Sequence, residues 1–328
     1  MKLLHRAEPF WRELNQIEGS ATPYVLWRTL LFGLVALVVT VIEMVPLLPT
    51  LAIPMAPYEA LGVAMGALLV LRTNAGHERW WEGRRLWGGI VNQSRALVLT
   101  ALSHGPDDRE WKRRIVSWTV AFAHVSRRSL RNERTLPELV PLVGTVKAKR
   151  IASVEHMPSA VALEIGSLLR EGLELGMDRL AMLRALEERD KLIDHIGGCE
   201  RILKTPLPMA YSIQIHQFIF VFLVALPFGI LLKVGWLTPL VTMMVAFPIL
   251  ALDEIGVELQ NPFSPQRLNH LPLDQICENL ERNLMALLLH QSENSRGILG
   301  PVSSVEGDGN RESVGDDLGG DDAAAAMG

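Results

Sequence analysis

Long apolar runs stand out at three places in an otherwise charged chain. Thr29 to Val45 supplies 17 residues with Glu43 as the only charge, Met209 to Leu232 supplies 24 residues without Asp, Glu, Lys or Arg, and Val234 to Leu252 supplies another 19. A helix that crosses the hydrocarbon core of a bilayer needs about 20 mostly apolar residues. The pattern therefore predicts three membrane-spanning helices, the last two forming a hairpin.

A fourth apolar run is too short to face lipid on all sides. Ala60 to Leu71 holds 12 apolar residues and is followed at once by Arg72, Thr73 and Asn74. Polar groups that enter a membrane helix normally face the protein interior or a water-filled path. This run therefore predicts a helix that forms the wall of a pore.

The remaining patterns are helical. Between Asp107 and Arg131, apolar residues recur every three or four positions, and a second long pattern runs from Pro158 to about Ile196, where Gly197 and Gly198 are expected to end it. No run alternates apolar and polar residues as a half-buried strand does. We therefore expect an all-α protein.

The distribution of Lys and Arg predicts the orientation in the membrane. Of 32 such residues, 23 lie between Arg72 and Lys204, four precede Thr29, and none lies between Pro46 and Pro57. Because Lys and Arg near spans favour the cytosolic side, the middle segment should be cytosolic. Four passes through the inner (plasma) membrane, with both termini in the cytosol, satisfy this pattern.

These patterns divide the chain into six segments. The tail is rich in acidic residues and glycine, cannot bury a core and is expected to be disordered. The segments are a cytosolic N-terminal segment (1–28), the first two membrane helices with the pore wall (29–79), a cytosolic helical region (80–208), the third and fourth membrane helices (209–256), a cytosolic C-terminal segment (257–302) and the acidic tail (303–328).

Composition narrows the classes of function. The mean hydropathy is +0.21 and 49% of residues are hydrophobic, which fits a protein in contact with the lipid bilayer. A net charge of −4 gives no global basic field for nucleic acid. The two cysteines, Cys199 and Cys277, are far apart, and no CxxC or HxxxH spacing occurs, so neither a disulfide framework, a metal site nor a cofactor is predicted. No nucleophile with a base suggests an enzyme.

Several short motifs occur in a fixed order along the chain. They are Arg72-Thr73-Asn74, Glu78-Arg79-Trp80-Trp81, Thr205-Pro206-Leu207-Pro208, Asp253-Glu254-Ile255-Gly256 and Asn261-Pro262-Phe263. With the matching membrane spans, this ordered set resembles the bacterial branch of the bestrophin family over roughly residues 1–290. The resemblance implies a homopentameric ion channel in which the second membrane helices surround one central pore.

The resemblance also implies which residues constrict the pore. The family has a three-tier hydrophobic neck that ends eight positions before the Arg-Trp-Trp motif, and by that spacing the neck is Val63, Ala67 and Leu71. Apolar rings of this kind can close a pore by dewetting. The middle tier here is Ala67, where bulky side chains are usual, so a wider constriction is expected. Leu207 matches the family's narrow cytosolic aperture.

One loop departs from the animal bestrophins. In those proteins an acidic cluster follows Asn-Pro-Phe and helps to bind calcium, whereas residues 264–270 of this chain contain no carboxylate and include Arg267. Calcium prefers six to eight oxygen ligands, commonly including carboxylates. The sequence therefore predicts no calcium activation at this loop. Calcium-dependent currents from the reconstituted protein that vanish on mutating the loop would contradict this.

Simpler interpretations stand beside these. The neck residues also suit ordinary helix packing, and the charged motif residues suit structural ion pairs near the cytosolic membrane face. Trp80 and Trp81 suit interfacial anchoring, and His216, inside the third span, suits a hydrogen-bonded packing role.

The leading hypothesis for the function is a passive channel for small anions such as chloride or bicarbonate. The alternatives are a cation-selective channel of the same type and a non-conducting membrane scaffold.

Overall fold

The structure is a computed structural model that describes residues 20–43, 54, 56–266 and 270–297, with side chains as far as residue 291. All regular elements of these residues are helical, as the sequence predicts. The α-helices are α1 (Thr22–Glu43), α2 (Ala56–His104), α3 (Arg109–Leu130), α4 (Leu139–Val143), α5 (Thr145–Ser153), α6 (Met157–Glu174), α7 (Arg179–Lys204), α8 (Met209–Val234), α9 (Thr238–Glu258) and α10 (Leu273–Gly297), and a 3-10 turn, Gly235–Leu237, joins α8 to α9. The predicted acidic tail and most of the N-terminal segment lie outside the described residues.

Two segments are long and apolar enough to cross a membrane: Thr22–Glu43, and Met209–Glu258, which contains α8 and α9. These helices pack with the first part of α2 around a small core that includes Phe32, Leu69 and Phe222. Their outward faces also carry exposed apolar side chains, among them Leu34 and Val221. Apolar side chains on both the inner and the outer faces are typical of helices surrounded by lipid.

The helix α2 is one continuous element of 49 residues. At 1.5 Å per residue its length is about 74 Å, more than twice the roughly 30 Å of a bilayer's hydrocarbon core. Its first part contributes Met65 to the small core, whereas Trp87 and Ile90 belong to a second, larger core. The short apolar run of the sequence is therefore the first part of a rod that links both cores.

The larger core is built around α3. Asp108 caps this helix, because its Oδ1 accepts a hydrogen bond from the backbone N–H of Trp111 at 2.9 Å. The side chains of Trp111, Trp118 and Phe122 are at most 2% exposed. Helices α2, α6 and α10 pack against α3, and α7 packs against α2 and α6. The amphipathic pattern predicted between Asp107 and Arg131 is thus confirmed as a helix that is buried on several sides.

The second long pattern is not one helix. It is broken at Gly176, whose φ of +99° favours glycine, so residues 157–204 form α6 and α7. The expectation that Gly197 and Gly198 end the helix was wrong, because α7 continues to Lys204. At Gly198 a Cβ atom would lie 2.8 Å from Leu86 Cδ2, so this glycine allows α7 to lie close against α2.

Candidate functional site

One face of α2 is uncovered along nearly the whole helix. Val63 is 77% exposed, Leu71 is 59% exposed, and Ala67 between them is also exposed, although all three are apolar. Met65 and Leu69, about half a turn away, are at most 2% exposed. The three residues that the family resemblance assigns to a pore neck therefore share a face that no other described helix of this chain covers.

The exposed face continues beyond Leu71 and changes character. Successive residues of an α-helix are turned by about 100°, so positions three, four and seven apart share a face. The next exposed residues in this register are Asn74, Glu78, Trp81 and Arg85. An apolar stretch of about 12 Å is thus followed on the same side of α2 by polar and charged side chains.

The predicted aperture residue Leu207 lies in the short connection between α7 and α8 and is half-buried. Arg79 holds the preceding end of α7, because its guanidinium donates hydrogen bonds to the carbonyl oxygens of Ile202 at 2.5 Å and Thr205 at 2.9 Å. Carbonyl groups at the C-terminus of a helix lack partners within the helix and accept such bonds readily. Arg79 thus connects α2 to the segment that carries Leu207.

A buried charge cluster joins α2, α8 and α9. Arg72 Nε lies 3.1 Å from Asp253 Oδ1, and the two side chains are 1% and 4% exposed. His216 Nε2 lies 3.1 Å from Asp253 Oδ2 and 3.2 Å from Arg72 Nη2. His216 therefore has the hydrogen-bonding partners that the sequence interpretation expected, but its side chain is 53% exposed.

The other charged motif residues divide into two groups. Glu254 accepts a hydrogen bond from Arg28 of α1 at 3.0 Å, and Glu82 accepts one from Arg201 of α7 at 2.7 Å. Glu78, in contrast, is exposed and forms no ion pair with any described residue. Glu78 therefore belongs to the uncovered face of α2, whereas its neighbours connect helices.

The aromatic pair also divides in this way. The Trp80 ring is half-buried, packs against the larger core and lies 6.4 Å from the ring of His77. The Trp81 side chain is 51% exposed on the uncovered face. Trp80 thus packs against the larger core, whereas the neighbouring Trp81 lies on the uncovered face of α2.

The Asn261-Pro262-Phe263 motif packs against α2 at Gly83. A Cβ atom at Gly83 would lie 2.9 Å from Pro262 Cγ, and Phe263 is fully buried. The Asn261 side chain accepts a hydrogen bond from the backbone N–H of Phe263 at 3.2 Å, which closes the turn. No group of three His, Cys, Asp or Glu among the described residues could hold a metal ion, and residues 267–269 of the loop lie outside them.

The sequence interpretation missed a second charge network, between α3, α4 and α10. Arg131 donates to both oxygens of Asp274, at 2.9 and 2.7 Å, and Arg127 contacts Asp274 at 2.8 Å and Glu138 at 2.5 Å. The hydrogen bond from Arg131 lowers the pKa of Asp274 despite partial burial. Burial alone would raise the pKa of Glu138, but hydrogen bonding to Arg128 and nearby positive charge lower it. No local spacing in the sequence links these residues.

Comparisons with known proteins give matches over most of the chain. Residues 1–286 match the family described as Bacterial/Fungal Bestrophin protein. A voltage-dependent anion channel-forming protein of Nostoc sp. is 33% identical over 305 residues, covering 91% of this chain and 98% of the relative. A protein of the same description from Synechocystis sp. is 33% identical, covering 86% of this chain and 93% of the relative.

Solved structures show the same fold. The structure of a bacterial bestrophin homologue from Klebsiella pneumoniae aligns with a TM-score of 0.74 at 28% identity, covering 80% of this chain and 98% of that protein. Both proteins are therefore alike in fold as well as in sequence. The chain belongs to the bacterial and fungal bestrophin family.

Proposed function

We propose that this protein forms a membrane channel that passively conducts small anions such as chloride or bicarbonate. The observation that carries the proposal is the uncovered face of α2, which is apolar at Val63, Ala67 and Leu71 and polar beyond them. An exposed apolar face followed by a polar one suits a water-filled path with a hydrophobic constriction. Relatives named anion channel-forming proteins support the choice of ion.

The channel is a homo-oligomer in this proposal, because a single copy of α2 encloses no path. Closed rotational symmetry brings the same face of every copy to one axis. The family resemblance favours five copies, with Val63, Ala67 and Leu71 as the neck and Leu207 as the cytosolic aperture. Four passes through the bacterial inner membrane, with both termini in the cytosol, fit the distribution of Lys and Arg.

The test is the reversal potential of the purified protein in planar bilayers under a KCl gradient. An anion channel gives a potential near the chloride equilibrium value, and replacing potassium by another cation leaves it there. The variants Leu71→Ala and Leu207→Ala should increase conductance without reversing the sign. If well-folded oligomers of the native protein and of both variants carry no current, the result would contradict the proposed channel function and favour a non-conducting scaffold.

A cation-selective channel is the second candidate, and Glu78 is the observation that favours it. This exposed carboxylate follows Leu71 by seven residues, or about 10 Å along α2. A ring of acidic side chains attracts cations in channels. A potential of the opposite sign in the same bilayer measurement, abolished by Glu78→Gln, would establish this function instead.

A further inference from the structure

A groove lies on the uncovered side of α2 where α7 packs against it. Its wall is formed by Trp81, Arg84, Arg85, Asn92, Gln93 and His195, together with two glycines of α2. We call it the Arg85 groove. No carboxylate lines it among the described residues, although acidic residues outnumber basic ones in the chain as a whole.

The two arginines of the groove are not used by the fold. Arg84 and Arg85 are exposed, and neither forms an ion pair or a hydrogen bond with any other described residue. Arg72 and Arg131, in contrast, are neutralised by buried or half-buried carboxylates. The guanidinium groups in the groove therefore keep their full donor capacity for an external anion.

Neutral hydrogen-bond donors complete the wall. Asn92 and Gln93 each carry a side-chain amide, and the His195 ring lies so close to α2 that only a glycine fits at position 89. Burial lowers the pKa of His195, while the adjacent Asp194 and Lys191 act in opposite directions. The ring is therefore mainly uncharged at neutral pH and retains one N–H donor.

The groove lies on the path of the proposed channel. Arg85 follows Leu71 by 14 residues, which places it about 21 Å further along the same helix. Viewed along the axis of α2, the side chain of Arg85 is turned by about 40° from that of Val63, and the side chain of Ala67 is turned from Val63 by the same angle. Arg85 is thus in register with the middle tier of the neck, and copies of it around an axis would form a ring.

We propose that the Arg85 groove is a binding site for a small monovalent anion and that Arg85 sets the preference of the channel for anions. This inference rests on the proposed function, and it assigns charge selection to the polar part of α2 rather than to the apolar neck. Apolar rings do not distinguish the sign of a charge, whereas rings of arginine favour anions. Glu78, two turns nearer the neck, acts against this preference.

The experiment compares chloride-to-potassium permeability ratios from reversal potentials in planar bilayers. Arg85→Gln should lower the ratio by about threefold or more, because each copy of the ring loses a charge, and Arg85→Lys should retain most of it. Glu78→Gln should raise it. The matched control is Arg170→Gln on α6, an exposed arginine that likewise has no ion pair with a described residue, and it should leave the ratio unchanged.

Anomalous scattering from crystals grown in bromide separates this inference from the proposed function. A bromide peak between Arg85 and Asn92 in the native protein, absent from Arg85→Gln, is expected and can be observed whether or not the protein conducts. If the native channel conducts and the Arg85→Gln variant keeps the native chloride-to-potassium permeability ratio, the inference is overturned but the proposed function is not. No bromide in the groove, or equal bromide in both proteins, would also overturn it.

Discussion

Arg72 and Asp253 place opposite charges where water is nearly excluded. Their side chains are 1% and 4% exposed, and the half-exposed His216 contacts both of them. Transfer of a single charge into such a site is costly, and a partner at 3.1 Å offsets the cost. The pair therefore fixes how α2 crosses α9 more than it adds stability over an apolar pair.

Asp253→Asn tests this interpretation. The change leaves the Arg72 charge buried without its partner, so unfolding should become easier by about 3–5 kcal/mol, as when a buried ion pair loses one member. The measurement is thermal unfolding of the detergent-solubilised protein. The double variant Arg72→Met with Asp253→Leu should recover most of the loss, and a double variant as unstable as Asp253→Asn would contradict the argument.

The two cysteines should be inert in the folded protein. Burial raises the pKa of both Cys199 and Cys277 to about 12. Only the thiolate reacts readily, and a rise from 9 to 12 lowers its fraction about a thousandfold at neutral pH. A chromogenic disulfide reagent should label neither thiol in the native protein and both after denaturation. Rapid labelling of the native protein would show that one of these sites is open.

At the scale of elements, the network between α3, α4 and α10 makes stability depend on pH. The pKa of Asp274 and that of Glu138 are lowered in the fold. The stability they contribute is therefore complete above the ordinary carboxyl pKa of about 4 and is lost as pH falls through the lower folded values.

Asp274→Asn should remove most of this dependence. At pH 7 the variant should unfold more easily by about 2 kcal/mol, because Arg131 and Arg127 lose a charged acceptor. The difference from the native protein should shrink as pH falls below about 4, where the carboxylate becomes protonated first in the unfolded chain and then, at its lower folded pKa, in the native protein. Tryptophan fluorescence during thermal unfolding across pH 3–7 provides the measurement. A difference that stays constant over this range would show that Asp274 contributes no pH-dependent stability.

The helices show what the sequence could and could not predict. Long apolar runs located α1, α8 and α9, which meet lipid, and apolar periodicity located α3, which buries a stripe. It could not place the end of α7, since Gly198 serves contact with Leu86 rather than termination. Nor could it identify the groove, because Arg85 and His195 become neighbours only when α7 packs against α2.

At the scale of the whole molecule, the narrowest tier limits the width of the proposed neck, and a small side chain keeps its tier wide. Ala67 occupies the middle tier of the proposed neck and is exposed on α2. Ala67→Leu adds three carbon atoms from every copy at one level of the axis. Single-channel conductance should fall several-fold, because a narrower apolar ring favours dewetting.

The matched control for the neck variant is Ala286→Leu, an exposed alanine of α10 that lies outside α2. Its conductance should remain near the native value. If both variants conduct like the native protein, Ala67 does not line the narrow part of the path, and the residues assigned by resemblance would need to be reassigned.

The unbroken length of α2 also restricts how the gene can change. Adding or deleting one codon between Val63 and Arg85 would turn every later side chain by about 100° relative to Val63. The number of residues in this stretch can change only in steps close to whole pairs of turns, such as seven residues. Among related sequences, alignment gaps in this stretch should therefore be absent or about seven residues long, even where the residues themselves differ.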